Sequence, residues 1–561
     1  MRLRTWRFLT ALLALTLLAA CGGSGSSSAP ADAQITLKAQ FQKQILTPTG
    51  LNGTASLPAR YCYAEVCDAS SGTVLASGYL GSDGTGTASV PRGLTVYANV
   101  YAEYQVPSAD PTSFFMRGSV KNAPLPTTPI DAATFTAIPD WYVTSDTILA
   151  NQDGTLTVTA LASNRIAGAF NIADQAVTFA AAVRDMDGTG TLRLPSLHTF
   201  WTTSTNPADQ ARTYPAITPG PNNTILVGSS GRAIFSHQVY GLDTGAANTE
   251  TDEWDDGVLQ ETFAHLLFAD YSYKPDGSSA LSLFRRDNDN VYVSRYRPSE
   301  STVAFVDGFC DFLAGAVRNQ SQLLDSYVDG SGVPQVEDFD LSSHAMVPSA
   351  DKGEFTRGSI AVSLWGIWQN ALGASQAGLQ TLWQAAASNA AYPDGTGEYE
   401  QATLGCYPSY LLGVQSRVTA TTWNAALNEL SLEAIPAPTA AYFAGTALWQ
   451  TVPVPFSGSG TLQTYDASQN RYYDQDQSQA FRFTQSVSGP RTITLTPAGG
   501  QDFYLELLGP GGWVDGSTSS ALTGQTRTLT FPSLPPGVYA ARVRAGATTA
   551  TGTYGYTISL N

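Results

Sequence analysis

Two hydrophobic periods divide this chain into blocks, and that division constrains the fold more than any single motif. Between residues 35 and 138 the apolar residues fall in short runs such as ITLKAQFQ, RYCYAEVCDA, GTVLASGYL and LTVYANVYAEYQV, separated by Gly, Asp, Ser and Pro turns. A two-residue period bounded by turn formers predicts half-buried strands, here a small antiparallel sandwich. From 139 to 435 a three-and-four spacing takes over and predicts helices over 166–184, 256–269, 302–320, 357–371, 377–390 and 421–433. After a 436–445 linker that follows Ile435 with Pro436-Ala437-Pro438, residues 446–561 return to strand-like runs, among them QAFRFTQSV, RTITLTPAG, FYLELLGPGG and GTYGYTISL. The fold class these blocks predict is multidomain α+β: a sandwich, a mostly helical α/β unit, and a second sandwich. At 561 residues the chain is long enough for three or four domains with cores of their own.

The first 21 residues bear on compartment. Arg2, Arg4 and Arg7 precede an apolar stretch over 8–18, shorter than the roughly 20 residues of a membrane span, and Leu18-Ala19-Ala20-Cys21 follows. This segment resembles the signal peptide and lipobox of bacterial lipoproteins. The resemblance implies cleavage of residues 1–20, a diacylglycerol on the Cys21 thiol and acylation of its amine, so that several chains together anchor the protein to a membrane. Gly follows Cys21, where lipoproteins of this kind kept at the inner membrane tend to have Asp, so the expected location is the cell envelope at the outer membrane. Residues 21–34, CGGSGSSSAPADAQ, then form a flexible tether.

Export favours disulfides, and four further cysteines remain: Cys62, Cys67, Cys310 and Cys406. Three pairings are open; Cys62 with Cys67 and Cys310 with Cys406 keeps each pair inside one block. Zinc is the weaker reading, since neither pair has a partner CxxC and the chain holds only 4 His. Acids outnumber bases 46 to 29, for a net charge of −17, and the chain offers no basic face for phosphates. Nucleic acid is therefore excluded as a partner.

The most informative segment is TDEWDDGVLQETFAHLLFADYS, over 251–272, in which Asp255 or Asp256 fits an N-cap and Val258, Glu261, His265 and Phe268 share one helical face. A carboxylate and an imidazole four residues apart can reach one ion. The segment resembles TDEYDDHVIVHEFGHYLE of the zinc metallopeptidase-like lipoproteins of Gram-negative bacteria, whose HExxH helix supplies two zinc-binding His and a general-base Glu. AFVDGFCDFLAG, over 304–315, is similar to that family's AFGEGWGNAFSG, which supplies a third ligand. GEFTRGSIAVSLWGIWQN, over 353–370, is similar to its GWFSEASVQSILWDLYD. RIAGAFNIADQAVTFAAAV, over 165–183, looks like the family's preceding helix.

Carried over position by position, the resemblance places Glu261 at the first zinc His, Thr262 at the general base, His265 at the second His and Asp307 at the third ligand. A Thr hydroxyl cannot take a proton from metal-bound water at neutral pH as a carboxylate does, which removes a contribution of about 10² to 10⁴-fold. With oxygen donors in place of nitrogen, the set suits zinc, manganese or calcium weakly, or no ion. Of the other imidazoles, His237 and His344 are the spare candidates; His198 sits in a strand-like run. The resemblance thus implies a metallopeptidase-like domain without catalysis, a pseudoenzyme that binds peptide, protein or glycan; the alternative is an active metalloendopeptidase with a Glu261, His265 and Asp307 metal site. The block before it, over 68–103, looks like a carboxypeptidase regulatory-like, transthyretin-type domain. The last block resembles a pre-peptidase C-terminal sandwich, with Asp502 and Asp515 near the turn where such domains can hold calcium. Asp185-Met186-Asp187-Gly188 and Asp287-Asn288-Asp289-Asn290 lack the distal Glu of an EF-hand and read as polar turns.

Overall fold

In the computed structural model of the chain the described residues are 32–108, 114–123, 132–188, 194, 196–202, 204–205, 225–226, 233–238, 241–242, 251–272, 294–299, 301–328, 333–387, 407–439, 442, 450–466, 478–499, 501–509, 512–517, 524–545, 547–548 and 552–561. Residues 1–20, read above as a signal peptide, Cys21, the 287–290 run and Cys406 lie outside them.

The first strand, β1 (Ala33–Thr47), uses the two-residue period directly: Ala33, Ile35, Leu37, Ala39 and Phe41 are buried, and the residues between them face out. It begins inside the stretch read as tether, because Gln34 already pairs with Ser89. Then come β2 (Gly50–Pro58), β3 (Cys62–Asp68), β4 (Val74–Tyr79), β5 (Thr85–Val90), β6 (Thr95–Pro107), β7 (Phe114–Asn122), β8 (Tyr142–Thr144), β9 (Ile148–Leu149) and β10 (Gly154–Ala160). One sheet has the order β10-β1-β2 with β5 on β1; the other contains β7-β6-β3-β4, with β8 and β9 on β6. The pairing runs on past residue 138, since β10 lies parallel to β1 from Ile35 opposite Gly154 to Phe41 opposite Ala160. The strand Leu197–Trp201 extends the second sheet beside β7.

The helices are α1 (Ala132–Ala137), α2 (Ile166–Asp187), α3 (Asp256–Ser272), α4 (Ser301–Arg318), α5 (Arg357–Gly366), α6 (Gln376–Ala387), α7 (Tyr407–Gln415) and α8 (Ala420–Leu432). A π-helical turn, Ile367–Ala371, continues α5. Helix α2 is long and apolar enough to cross a membrane, but most of its apolar stretch is buried in the protein. It packs on β1, β6 and β7 on one side and on α3 and α6 on another. One apolar core accordingly runs from Ala33 to Ile435, shared by the first sheets and the helices. Asp185 and Asp187 belong to the last turn of α2, which Gly188 ends in the left-handed conformation, with φ 63°.

The 456–560 region has a core of its own between two five-stranded sheets. On the face of its sheet that carries Ala540 and Leu508, opposite that core, Arg542 pairs with Glu506, Nε to Oε2 at 2.7 Å, and elsewhere in the region Arg527 pairs with Asp502. A guanidinium therefore holds the Asp502 carboxylate that the sequence placed near a calcium turn. Asp515 is in the strand Gly512–Ser517.

The expected Cys62–Cys67 disulfide is corrected by the structure. Both residues lie in β3, five positions apart in one extended strand, which separates their Cα atoms by about 16 Å, far beyond the roughly 7 Å a disulfide can span. Among the described residues there is no disulfide: Cys62, Cys67 and Cys310 are buried thiols.

His198, on Leu197–Trp201, has Nδ1 2.9 Å from Ser119 Oγ, and its ring meets the Phe135 ring edge-on at 4.8 Å between centroids. Loss of water contact, with Lys121 and Arg117 adding to it, pushes its pKa down to about 3. The unfolded imidazole takes a proton near pH 6.5 and the folded one does not, so stability is full above that pH and falls as the pH drops toward 3. Urea midpoints measured over this range should decline in the wild type and decline less in His198→Gln. Equal slopes in the two proteins would remove His198 from the acid response.

Candidate functional site

Three helices and one turn converge at a buried cluster of charges. Helix α3 carries Glu261 and His265 one turn apart, and α4 carries Asp307 and Asp311 one turn apart, so each helix aims a pair of side chains from one face. Arg357 opens α5, and Arg295 stands in the turn before α4. Glycines permit the close approach. A Cβ on Gly308 would lie 2.7 Å from the Arg357 carbonyl oxygen and 2.8 Å from Ile360 Cβ, so α4 and α5 meet backbone to backbone there.

His265 Nε2 lies 3.6 Å from Glu261 Oε1 and 3.8 Å from Asp307 Oδ1. The structure thus brings together the three residues assigned as metal ligands, and the cations they face are guanidinium groups. Arg357 donates through Nη2 to Glu261 Oε1 and Asp311 Oδ1, the latter at 2.8 Å; its Nε donates to Asp311 Oδ2 at 2.6 Å, and Nη1 reaches Asp307 Oδ2 at 3.5 Å. Arg295 donates through Nη2 to Glu261 Oε2 at 3.2 Å and to Asp311 Oδ1 at 3.1 Å, while Nη1 lies 3.2 Å from Glu337 Oε1. The Arg295 guanidinium also sits over the Phe339 ring at 5.6 Å.

The electrostatics follow from this geometry. Burial acts to raise the Glu261 pKa, but Arg357, the hydrogen bond from His265 and Arg295 outweigh it and hold the carboxyl well below the usual range. Burial acts to lower the Arg357 pKa, and Asp311, Glu261 and Asp307 together drive it well above the ordinary value. Both ions stay charged because each satisfies the other, the condition under which a buried ion pair persists.

A zinc ion does not fit this donor set. Both Glu261 oxygens and one Asp307 oxygen already accept from guanidinium groups, and a divalent cation on the same oxygens would face two like charges at close range. Thr262, which the resemblance placed at the general base, is buried at 7% exposure. His344 does not complete the set, since its Nδ1 lies 2.8 Å from Glu433 Oε1 beyond the end of α8; His237 belongs to the strand Ala233–Gln238.

Sequence reasoning missed Arg295, Arg357, Asp311 and Glu337. A signal existed for two of them. In the segments quoted above Arg357 falls where the resembled family has Glu, and Asp311 falls where it has Asn. Arg357 and Asp311 are the two partners of the shortest ion pair at the cluster with a normal hydrogen-bond length, 2.6 Å.

Asp255 occupies the N-cap position of α3, since its carbonyl accepts from Leu259 N at 3.0 Å. Its carboxylate does not cap the helix; Ser326 N and Oγ hold it at 2.6 and 2.7 Å. Beside this junction lies a half-open cleft of about 590 Å³ lined in part by Lys43, Leu46, Trp254, Asp256, Arg318 and Leu324.

No protein-family model matches the chain, and no curated protein matches it. Among solved structures it is similar to the pre-peptidase C-terminal domain of a collagenase from Bacillus anthracis, with 13% identity over 21% of this chain and 98% of that one, at a TM-score of 0.17. It is also similar to PliG, a periplasmic inhibitor of g-type lysozyme from Aeromonas hydrophila, with 14% identity over 20% of this chain and 95% of that one, at a TM-score of 0.14. The Yersinia pseudotuberculosis-derived mitogen gives 12% identity over 19% of this chain and 86% of that one, at 0.14.

Proposed function

We propose that this chain is a cell-envelope protein, lipid-anchored through Cys21, whose metallopeptidase-like centre has been rebuilt as a salt-bridge network and which binds a peptide, protein or glycan instead of cleaving it. The observation that carries the loss of catalysis is the Arg357 guanidinium on Glu261, Asp307 and Asp311. An enzyme of this type needs an open metal position with a bound water and a carboxylate base. Here arginine takes the position and Thr262 replaces the base. Binding is supported by the cleft beside α3, whose lining mixes apolar side chains with Lys43 and Asp256.

Chain purified without added metal should contain less than stoichiometric zinc and show no chelator-sensitive cleavage of casein, and Glu261→Ala and His265→Ala should leave both readings unchanged. One zinc per chain together with cleavage that either variant abolishes would restore the peptidase reading. For binding, peptides selected from a display library on the full chain should lose their enrichment on Leu46→Arg; equal enrichment on both proteins removes the cleft as the binding surface.

A further inference from the structure

A second cluster of acids lies where the chain enters α3, apart from the arginine network. Asp252 is in the 3-10 turn Asp252–Trp254, Asp255 is at the junction into the helix, and Asp325 is in the strand Gln322–Val328. Their carboxylates bring three oxygen ligands within 4.8 Å of one another. Three acids in one place make no site by themselves, and the decisive atom is Asp255 Oδ1. Asp255 is 0% exposed, its Oδ2 takes both Ser326 donors, and Oδ1 is buried with no hydrogen-bond partner. A buried carboxylate oxygen without a donor is costly and calls for a counterion or a proton.

The neighbouring bases are committed elsewhere. Lys43 is on Asp256 and Arg165 is on Glu253, and among the described residues no basic side chain forms an ion pair with Asp255. Burial and then Asp325 push the Asp255 carboxyl well above the usual range, Glu253 adds to this, and only the two Ser326 hydrogen bonds oppose it.

We propose that Asp252, Asp255 and Asp325 bind a hard divalent cation, of which calcium is the type. The donors are all carboxylate oxygens, with neither imidazole nor thiolate among them, which suits calcium and disfavours zinc. The ion neutralises Asp255 Oδ1 and ties the hairpin strand that carries Asp325 to the start of α3. That helix carries Glu261 and His265 two turns further on, so the ion fixes the end of the element that supports the arginine network.

Trp254, next to Asp255 in sequence, provides an optical reading, because an excited indole sensitises bound terbium, a calcium substitute. Full-length protein stripped with chelator should show terbium emission on excitation at the tryptophan band, and calcium should displace it. A hundredfold excess of calcium over its Kd should raise Tm by about 5 °C. Asp255→Asn and Asp325→Asn should each weaken calcium at least tenfold, while Glu261→Ala with His265→Ala should leave calcium affinity unchanged. That last variant separates this site from the reading of the arginine network. The proposal is overturned if the wild type shows no terbium or calcium response, or if both Asp variants bind calcium as the wild type does. It is also overturned if the stability of the wild type tracks pH and not calcium, the behaviour of a proton shared between Asp255 and Asp325. Asp325 lies in the hairpin and not at the helix junction, so its variant keeps the test informative if Asp255→Asn fails to fold.

Discussion

Replacing Arg357 with Ala should lower the unfolding free energy by about 3–5 kcal/mol, the usual cost of removing one partner from a buried ion pair. The size follows from what is left behind. Arg357 is 2% exposed and ion-pairs with Glu261, Asp307 and Asp311, so its loss leaves three carboxylates facing one imidazole and Arg295. The pH dependence should change sign with it. In the wild type the folded Glu261 pKa lies below its unfolded value, so the pair's contribution is full above the ordinary carboxylate range and fades as the pH falls below it. In Arg357→Ala the crowded carboxylates favour protonation, so stability should rise on mild acidification. Urea unfolding of both proteins between pH 4 and 8 measures each effect. A loss under about 1 kcal/mol at pH 7 would mean that the network is no more than a surface-type salt bridge. The double variant Arg357→Met with Asp311→Leu should recover part of the loss, because it removes the uncompensated charge together with its partner.

Gly358→Ala should destabilise by about 1–3 kcal/mol and disturb the same network without touching a charge. Gly358 N donates to the Arg295 carbonyl oxygen at 3.1 Å, which joins the start of α5 to the turn before α4. An added Cβ would overlap that carbonyl oxygen and come within 2.8 Å of Val347 Cγ2 and 3.0 Å of Phe339 Cζ. The backbone has to move, and it moves Arg295 away from Glu261 and Asp311. The carboxylate resonance of Glu261, followed by carbon-detected NMR, should titrate at higher pH in Gly358→Ala than in the wild type. A full loss of stability with no change in that titration would assign the glycine to packing alone.

Much of the secondary structure was legible because it is local. The 256–269 and 302–320 helices were read within a few residues of α3 and α4, since apolar spacing reports the face of a helix whatever packs on it. Helix α7 was missed: at nine residues, with Pro408 in its first turn, it offers too few periods to register. The β1–β10 pairing was not legible either. It joins Ile35 to Gly154 across all of β2 to β9 in sequence, and neither strand's own sequence names its partner. A boundary drawn from composition at residue 138 therefore cuts through a sheet.

At the site, the sequence by itself determined that Glu261 and His265 share a face, because that is a property of 3.6 residues per turn. What neutralises the acids was decided only by the tertiary structure. Arg357 reaches Glu261 across 96 residues of chain because Gly308 lets α5 settle on α4, and two guanidinium groups then lie on the oxygens a metal would need. Charge compensation depends on distance in space, and sequence spacing fixes that distance only within a single element.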